Sequence, residues 1–523
     1  MASVTKIIKD FSWGITNEAR DADTRYCQMV KNFDIHSFKH KLVPLRSSEV
    51  GDSNATAAMR VRNFCIAKQN ITTNEYALFG LGKLSATDRV QLFYKHITLD
   101  SSNNLADATW VTVTNQFGGA GTTGEYDLFV WYERTGLIYG SRDARYIWSA
   151  DPDDSGAFVD SALDLTAYTT IRQGLVHSKD DVLYVPYDNK IAKNNNGSWT
   201  AAALTLPENL RINSICEYNN YIAIGCAPKS GYGKSVVYLW DRDSSLATLS
   251  ESIDWGNGEL FVLEEIDGIL VGVSNVGKAG VSSFNTGPNF AQRIVFRYLS
   301  GGKAVMFNEF ISSASTSYLT TIPKKYKDNN YIYFPLFMTF PDGTNQQGIW
   351  KIGKNRGGNI AVSLDRTSNN DSAITLTTFL GFIIVGDFLF TSTNESGTIT
   401  VRKTIESGDA SQYSQTSSYD TVVLNDGDSS LKKKLVGVTV FTEPLPTAGQ
   451  VILKYKIDDE TSFTTIFTNT TDNSVHHSAI NIESTGLALP EYKEITFQIL
   501  STGGAVITGL KYKSNFIGKD LYE

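Results

Sequence analysis

Apolar residues in this chain recur as short runs set between polar turns, and that spacing is what most limits its fold. A turn, often Asn-Asn, Asp-Asp or Asp-Gly, leads into four to six apolar or aromatic residues, then a second turn and another run. Helical spacing at i, i+3, i+4 and i+7 rarely persists beyond two turns, so strands rather than helices are expected throughout. The dominant runs are EYALFGL from Glu75, YDLFVWY from Tyr126, DDVLYV from Asp180, NNYIAIG from Asn219, DGILVGV from Asp267, NNYIYF from Asn329 and LGFIIV from Leu380. Several have a second run close behind, such as VVYLW from Val236 and GIWKI from Gly348. Their starts fall roughly forty to sixty residues apart, the ragged period of propeller blades.

One four-stranded blade cannot bury both of its faces, but blades set radially bury each other's. Residues 56–405 therefore read as an irregular β-propeller of six or seven blades within an all-β protein. A pair of β-sandwiches is the alternative, since these also show short strands at turn-punctuated intervals. Beyond residue 405 the text turns rich in Ser, Asp and Gly, which predicts a linker over 406–430. Residues 431–523 then carry strand-like runs such as LVGVTVF from Leu435 and EITFQI from Glu494, and predict a C-terminal β-sandwich or jelly-roll-like domain. Residues 1–55 are too polar for a core of their own yet hold Phe11, Trp13, Phe33, Ile35 and Leu42. They predict an extended docking arm that lies on another surface.

Composition narrows the function classes. With 27 Phe, 25 Tyr and 8 Trp against 5 Met, and 42 Gly for turns, the chain has the make-up of a β protein. Its formal net charge of −8 gives no global positive field for phosphate, and the run Lys432-Lys433-Lys434 reads as a solvated surface. The four cysteines, Cys27, Cys65, Cys216 and Cys226, form no CxxC pair and predict neither a disulfide framework nor a metal clip. Cys216 and Cys226 read as small core residues. The first twenty residues lack an export-signal core and nowhere do eighteen apolar residues run together, so membrane insertion is not expected.

A propeller glycosidase would need two carboxyls facing one space. The text closest to an Asp-box is SADPDDSG (Ser149 to Gly156), where Asp151, Asp153 and Asp154 read as a solvated turn. The segment LNDGDSS (Leu424 to Ser430) alternates carboxylates but lacks the later Glu of a calcium loop and reads as a linker turn. His36 and His40 have the spacing of two zinc ligands on a helix, without further ligands beside them. Gly231, Gly233 and Lys234 sit between two strands and read as a hairpin turn rather than a phosphate loop. No residue is assigned a catalytic, cofactor-binding or metal-binding role, no cofactor is expected, and the chain is not expected to be an enzyme.

The ends of the chain carry the most specific text. Phe11-Ser12-Trp13-Gly14-Ile15, then Asn32-Phe33-Asp34-Ile35, then Leu42-Val43-Pro44-Leu45-Arg46, resembles the opening of bacteriophage tail and tail-accessory proteins, with Trp13 where Gly is frequent. YIWSADPDDSGAF (Tyr146 to Phe158) is similar to a strand and turn of phage proteins with a propeller body, and LVGVTVFTEPLP is similar to their accessory sandwiches. The resemblance implies a virion component made in the host cytoplasm: an oligomeric ring at the tail nozzle, hub or adaptor. Its implied partners are copies of itself and other tail proteins, with DNA passing without sequence-specific binding, no membrane insertion and no small-molecule substrate. Two other readings are a host-surface binding module, with Trp110, Trp199 and Trp255 clustered on one rim, and a glycan-cleaving propeller.

Overall fold

The computed structural model describes residues 3–16, 23–47, 59–70, 75–84, 90–97, 109–113, 127–142, 145–153, 158–165, 170–229, 233–243, 251–276, 292–312, 324–328, 330–339, 345–367, 377–386, 388–395, 398–404, 413, 415–472, 476–481 and 490–517. Every regular element among them is a β-strand. No helix among them is long and apolar enough to cross a membrane.

Seven successive antiparallel sheets occupy residues 59–112, 129–164, 175–205, 210–257, 259–312, 326–367 and 377–403. Six have four consecutive strands each, and the seventh has three among the described residues. We number them blades 1 to 7. Each begins on its inner strand, and the inner strand of blade 7, Thr377–Val385, packs against that of blade 1, Met59–Asn70, so the ring closes. Each of the seven dominant runs lies in a different blade.

The turns explain why the strands pair as they do. Asn219 and Asp267 have φ of 55° and 49°, and Gly268 follows at 81°, in two-residue turns that place Tyr218 opposite Tyr221 and Ile266 opposite Ile269. Asn and Asp tolerate this left-handed conformation, and the resulting twist matches that of the paired strands.

Apolar layers between blades hold the ring. Phe79 and Leu81 of blade 1 meet Trp148 of blade 2, Cys216 and Trp255 of blade 4 meet Leu260 of blade 5, and Val61 and Trp110 of blade 1 meet Phe390 and Val401 of blade 7. Because both faces of a blade are covered, the strand Glu259–Ile266 is buried at five successive residues rather than at alternate ones. Gly140 lies opposite Trp148, whose ring crosses it so closely that a Cβ there would sit 2.0 Å from Cζ2.

The C-terminal module is a sandwich of two sheets, and the N-terminal segment belongs to it. Ser3–Ile8 pairs with Ile507–Phe516, which pairs with Lys433–Thr442. Cys27–Lys31 pairs with Ser417–Thr421 on one side and with the last strand of blade 6, Ile360–Thr367, on the other. That second contact makes blade 6 and one sheet of the sandwich a continuous nine-stranded sheet.

Three expectations change here. Residues 1–55 do not form an arm reaching to another molecule where they are described; their anchors Phe11, Phe33, Ile35 and Leu42 are fully buried within this chain. The expected linker 406–430 contains a strand, Ser417–Thr421, with Tyr419 wholly buried in the sandwich core; residues 405–412 lie outside the described residues. The sandwich is not confined to 431–523, because two of its strands come from the first 31 residues. The apolar spacing that marks an arm is the same whether the surface it covers lies in its own chain or in another.

Candidate functional site

Among the described residues, polar side chains from distant parts of the sequence gather at the propeller axis and at the seam between propeller and sandwich, among other places. At the axis, Lys324 and Lys325 lead into the inner strand of blade 6, Tyr326–Asp328. Lys324 Nζ donates to the Arg62 carbonyl of blade 1 at 2.8 Å. Lys325 Nζ donates to the carbonyls of Ile215 in blade 4, at 2.7 Å, and of Leu263 in blade 5. The Lys325 backbone and the Gln173 amide beside blade 3 exchange two hydrogen bonds, at 3.0 and 3.3 Å. One dipeptide thus ties five blades together across the axis. A cavity of about 10 Å³ remains beside it, lined by Asp127, Arg172, Asn213 and Phe261 among others, room for about one water.

Two carboxylates near the axis are paired. Glu264 lies 2.8 Å from Lys325 Nζ, and Asp127 lies 2.9 Å from Arg172 Nη1. Both carboxylates are engaged by cations. Burial pushes the Lys324 ammonium down to about 7, against the opposing pull of Asp127. Lys325→Met would leave the Glu264 carboxylate with the more distant Lys327, 3.9 Å away, and is expected to cost up to about 3 kcal/mol of stability, read from the denaturant midpoint. An unchanged midpoint would show that the ion pair contributes nothing.

The seam is built from residues of the N-terminal segment and of blade 6. Ile15 N–H donates to the Val362 carbonyl at 3.0 Å and Asn32 N–H to the Leu364 carbonyl at 3.1 Å, joining the N-terminal segment to blade 6. Asn32 is 2% exposed and takes φ of 59°; its amide donates to the Thr416 carbonyl at 3.0 Å and accepts from Thr367 N–H at 3.0 Å. It therefore links blade 6 to the strand that enters the sandwich. Gly14 has φ of 79°, and a Cβ on it would lie 2.7 Å from the Val362 oxygen. Phe11 packs edge-on against Tyr419 at 5.2 Å, while Arg25 lies 3.6 Å over the Trp13 ring. Gly14→Ala combines a strained φ with a backbone clash, and thermal unfolding of that variant should show a loss of at least about 1–3 kcal/mol.

Beside the seam lies a buried ionic group. Lys351 Nζ is 4.0 Å from Asp34 and 3.9 Å from Asp365, and 4.1 Å from the centre of the Tyr331 ring. Burial raises the Asp365 carboxyl. Burial also acts on Asp34, but Lys351 and hydrogen bonds from Ser37 outweigh it and hold that carboxyl below its usual range. His36 is 1% exposed, lies 3.2 Å from the Ser363 hydroxyl through Nε2, and is depressed to about 3, chiefly by burial and then by Lys351.

The other singled-out residues fall in separate places. His40 is at the surface with Nδ1 3.1 Å from the Lys9 carbonyl, away from the buried His36 position, and the two are not on a helix. In LNDGDSS the carboxylates diverge. Asp426 points inward to the Tyr512 hydroxyl at 2.5 Å, whereas Asp428 caps Ser430 at the surface. The expected solvated run 432–434 contains a buried residue, Lys433, whose ammonium donates to the Asp428 and Lys493 carbonyls at 2.6 Å each. Asp151 accepts from Asp153 N–H in an exposed turn, and Asp154 lies outside the described residues. Gly233 and Lys234 lead into the strand Lys234–Trp240, while Gly231 lies outside them. All four cysteines are buried thiols, with Cys216 and Cys226 in the core of blade 4.

Trp110, Trp199 and Trp255 do not cluster on a rim. Trp110 is packed between blades 7 and 1, Trp199 between blades 2 and 3, and Trp255 between blades 4 and 5. Sequence reasoning missed Lys325, Asn32 as a link, and the His36 group, because a lysine or an asparagine shows no burial signal in the text around it.

No family model and no curated protein matches the chain. Among solved structures it is similar to the Dos1 propeller, at 12% identity and a TM-score of 0.37, over 69% of this chain and 95% of that one. It is also similar to the apocarotenoid oxygenase of Synechocystis, at 8% identity and a TM-score of 0.36, over 74% and 91% of the two chains. A glycoside hydrolase covers 89% of this chain with all of its own, at 9% identity and a TM-score of 0.25. At these scores the likeness carries no argument about activity, and the propeller rests on sheet order and register.

Proposed function

We propose that this protein is a structural component of a bacteriophage virion, an oligomeric ring protein of the tail at the nozzle, hub or adaptor. The observation that supports this reading is where the phage-like text lies. Gly14, Ile15 and Asn32 form the seam that runs blade 6 into the sandwich as one sheet. A ring component that bears load has to move as one body, and a continuous hydrogen-bonded sheet couples two modules more stiffly than a linker does. In this reading the chain carries out no reaction; it contacts copies of itself and neighbouring tail proteins. Its net charge of −8 disfavours retention of DNA passing through the ring.

The test is mass spectrometry and electron cryo-microscopy of particles purified from a lysate of the source culture. The expected result is this chain in the tail as a ring of identical copies. Its absence from every particle, together with a soluble monomer, would overturn the proposal.

A further inference from the structure

A groove on blade 4, beside the segment that joins it to blade 3, has a shape and chemistry that the proposed tail role does not use. Period two places Lys234, Val236 and Tyr238 on one face of the strand Lys234–Trp240. Across from them run Pro207, Asn209 and Leu210, on the segment joining the blades, and Pro228 and Lys229 close one end. Together these residues enclose a concave volume of about 450 Å³, within the range of clefts that hold small ligands.

Backbone hydrogen bonds fix the walls. Leu210 N–H donates to the Pro207 carbonyl at 3.0 Å, and Lys229 N–H to the Asn209 carbonyl at 2.8 Å. The floor is apolar, with Leu210 buried and Val236, Pro228 and the Tyr238 ring half-buried. Among the described residues, neither the Tyr238 hydroxyl nor the Asn209 side-chain amide has a hydrogen-bond partner. Two ammonium groups stand at the rim. Lys229 Nζ is 2.8 Å from Asp188 and Lys234 Nζ is 2.6 Å from Asp254, with the lysine side chains 36% and 63% exposed. Exposed pairs of this kind are worth about 0–1 kcal/mol, so a ligand carboxylate can exchange with them.

We infer that this groove binds an anionic saccharide of the uronic-acid class. The ring face of a sugar suits the tyrosine and proline floor, its hydroxyls suit the unpartnered amide and phenol, and its carboxylate suits the two lysines. A neutral apolar ligand would leave the polar rim unused, and a phosphate-rich polymer would have no use for the apolar floor.

The probe is trigalacturonate, with maltotriose as the neutral control, titrated into the full chain and followed by calorimetry. Trigalacturonate is expected to bind and maltotriose not to, with affinity falling as salt rises. The double variant Lys229→Glu, Lys234→Glu changes exposed side chains only, so it should stay folded by circular dichroism and lose binding at least about tenfold. Tyr238→Phe keeps the ring and removes the hydroxyl, and is expected to weaken binding less than the charge reversal does. Lack of trigalacturonate binding, equal binding of maltotriose, or an unchanged affinity in the folded double variant would each overturn the inference. These readouts are independent of whether the protein is found in a particle.

Discussion

Deleting residues 1–47 is expected to unfold the C-terminal module while leaving the propeller resistant to protease. The deletion removes Ser3–Ile8 from one sheet of the sandwich and Cys27–Lys31 from the other. It also removes Phe11, Ile15, Phe33, Ile35 and Leu42, each at most 1% exposed. At roughly 1.5–3 kcal/mol per fully buried large side chain, their loss amounts to about 10 kcal/mol, comparable to the whole stability of a typical domain. Ring closure between blades 7 and 1 rests on Val61, Phe64, Trp110, Phe390 and Val401, none of which is deleted. Limited proteolysis with mass spectrometry should therefore return a fragment spanning about 59–403 and rapid digestion of everything after it. A truncated chain whose C-terminal module resists protease as the full chain does would refute the structural role assigned to the N-terminal segment.

Acid should loosen the seam through His36. The imidazole is buried beside Lys351, so protonating it places a second positive charge in a site where Asp34 opposes the repulsion only in part. With the folded value near 3 and the unfolded value near 6.5, the unfolded chain binds a proton that the native one does not anywhere between those limits. The contribution is fully present above about pH 6.5. It is lost as pH falls towards 3, at up to about 1.4 kcal/mol per pH unit and about 5 kcal/mol in total. Asp34, held low, adds a loss of the same sign at lower pH. Asp365 and Asp420 act the other way: burial raises both carboxyls, so their protonation favours the native state as pH falls towards their own range.

The His36 effect is therefore cleanest between about pH 6.5 and 5. Urea midpoints measured there should fall steeply in the natural chain and stay nearly level in His36→Gln, which cannot titrate but can still meet the Ser363 hydroxyl. Equal slopes in the two proteins would mean that His36 is not held neutral by burial.

The propeller was legible in the text because its determinants are local. Each blade announces itself by an apolar run after a polar turn, and Asn219, Asp181 and Asp267 adopt the positive φ that such turns require. The placement of Cys216 and Cys226 in the core followed from the apolar text around them. The strand runs after residue 431 were equally plain, since alternation along a single strand is visible without knowing its partner.

What a strand pairs with is a different kind of fact. Ser3 lies opposite Asn515 and Lys31 opposite Leu364, separations over which the sequence offers no periodicity to read. Buried cations were hidden for a related reason: Lys325 and Lys433 have no local signature, and their ammonium groups are satisfied largely by acceptors that the fold brings to them, the Ile215 and Leu263 carbonyls and Glu264 for Lys325 and the Lys493 carbonyl for Lys433. Strands, their turns and the blade repeat depend on neighbours a few residues away and are therefore written locally. That Ser3–Ile8 and Cys27–Lys31 complete the sandwich, and that the latter ties it to blade 6, is settled only when distant strands meet. That choice depends on the fit of surfaces formed after the strands have folded.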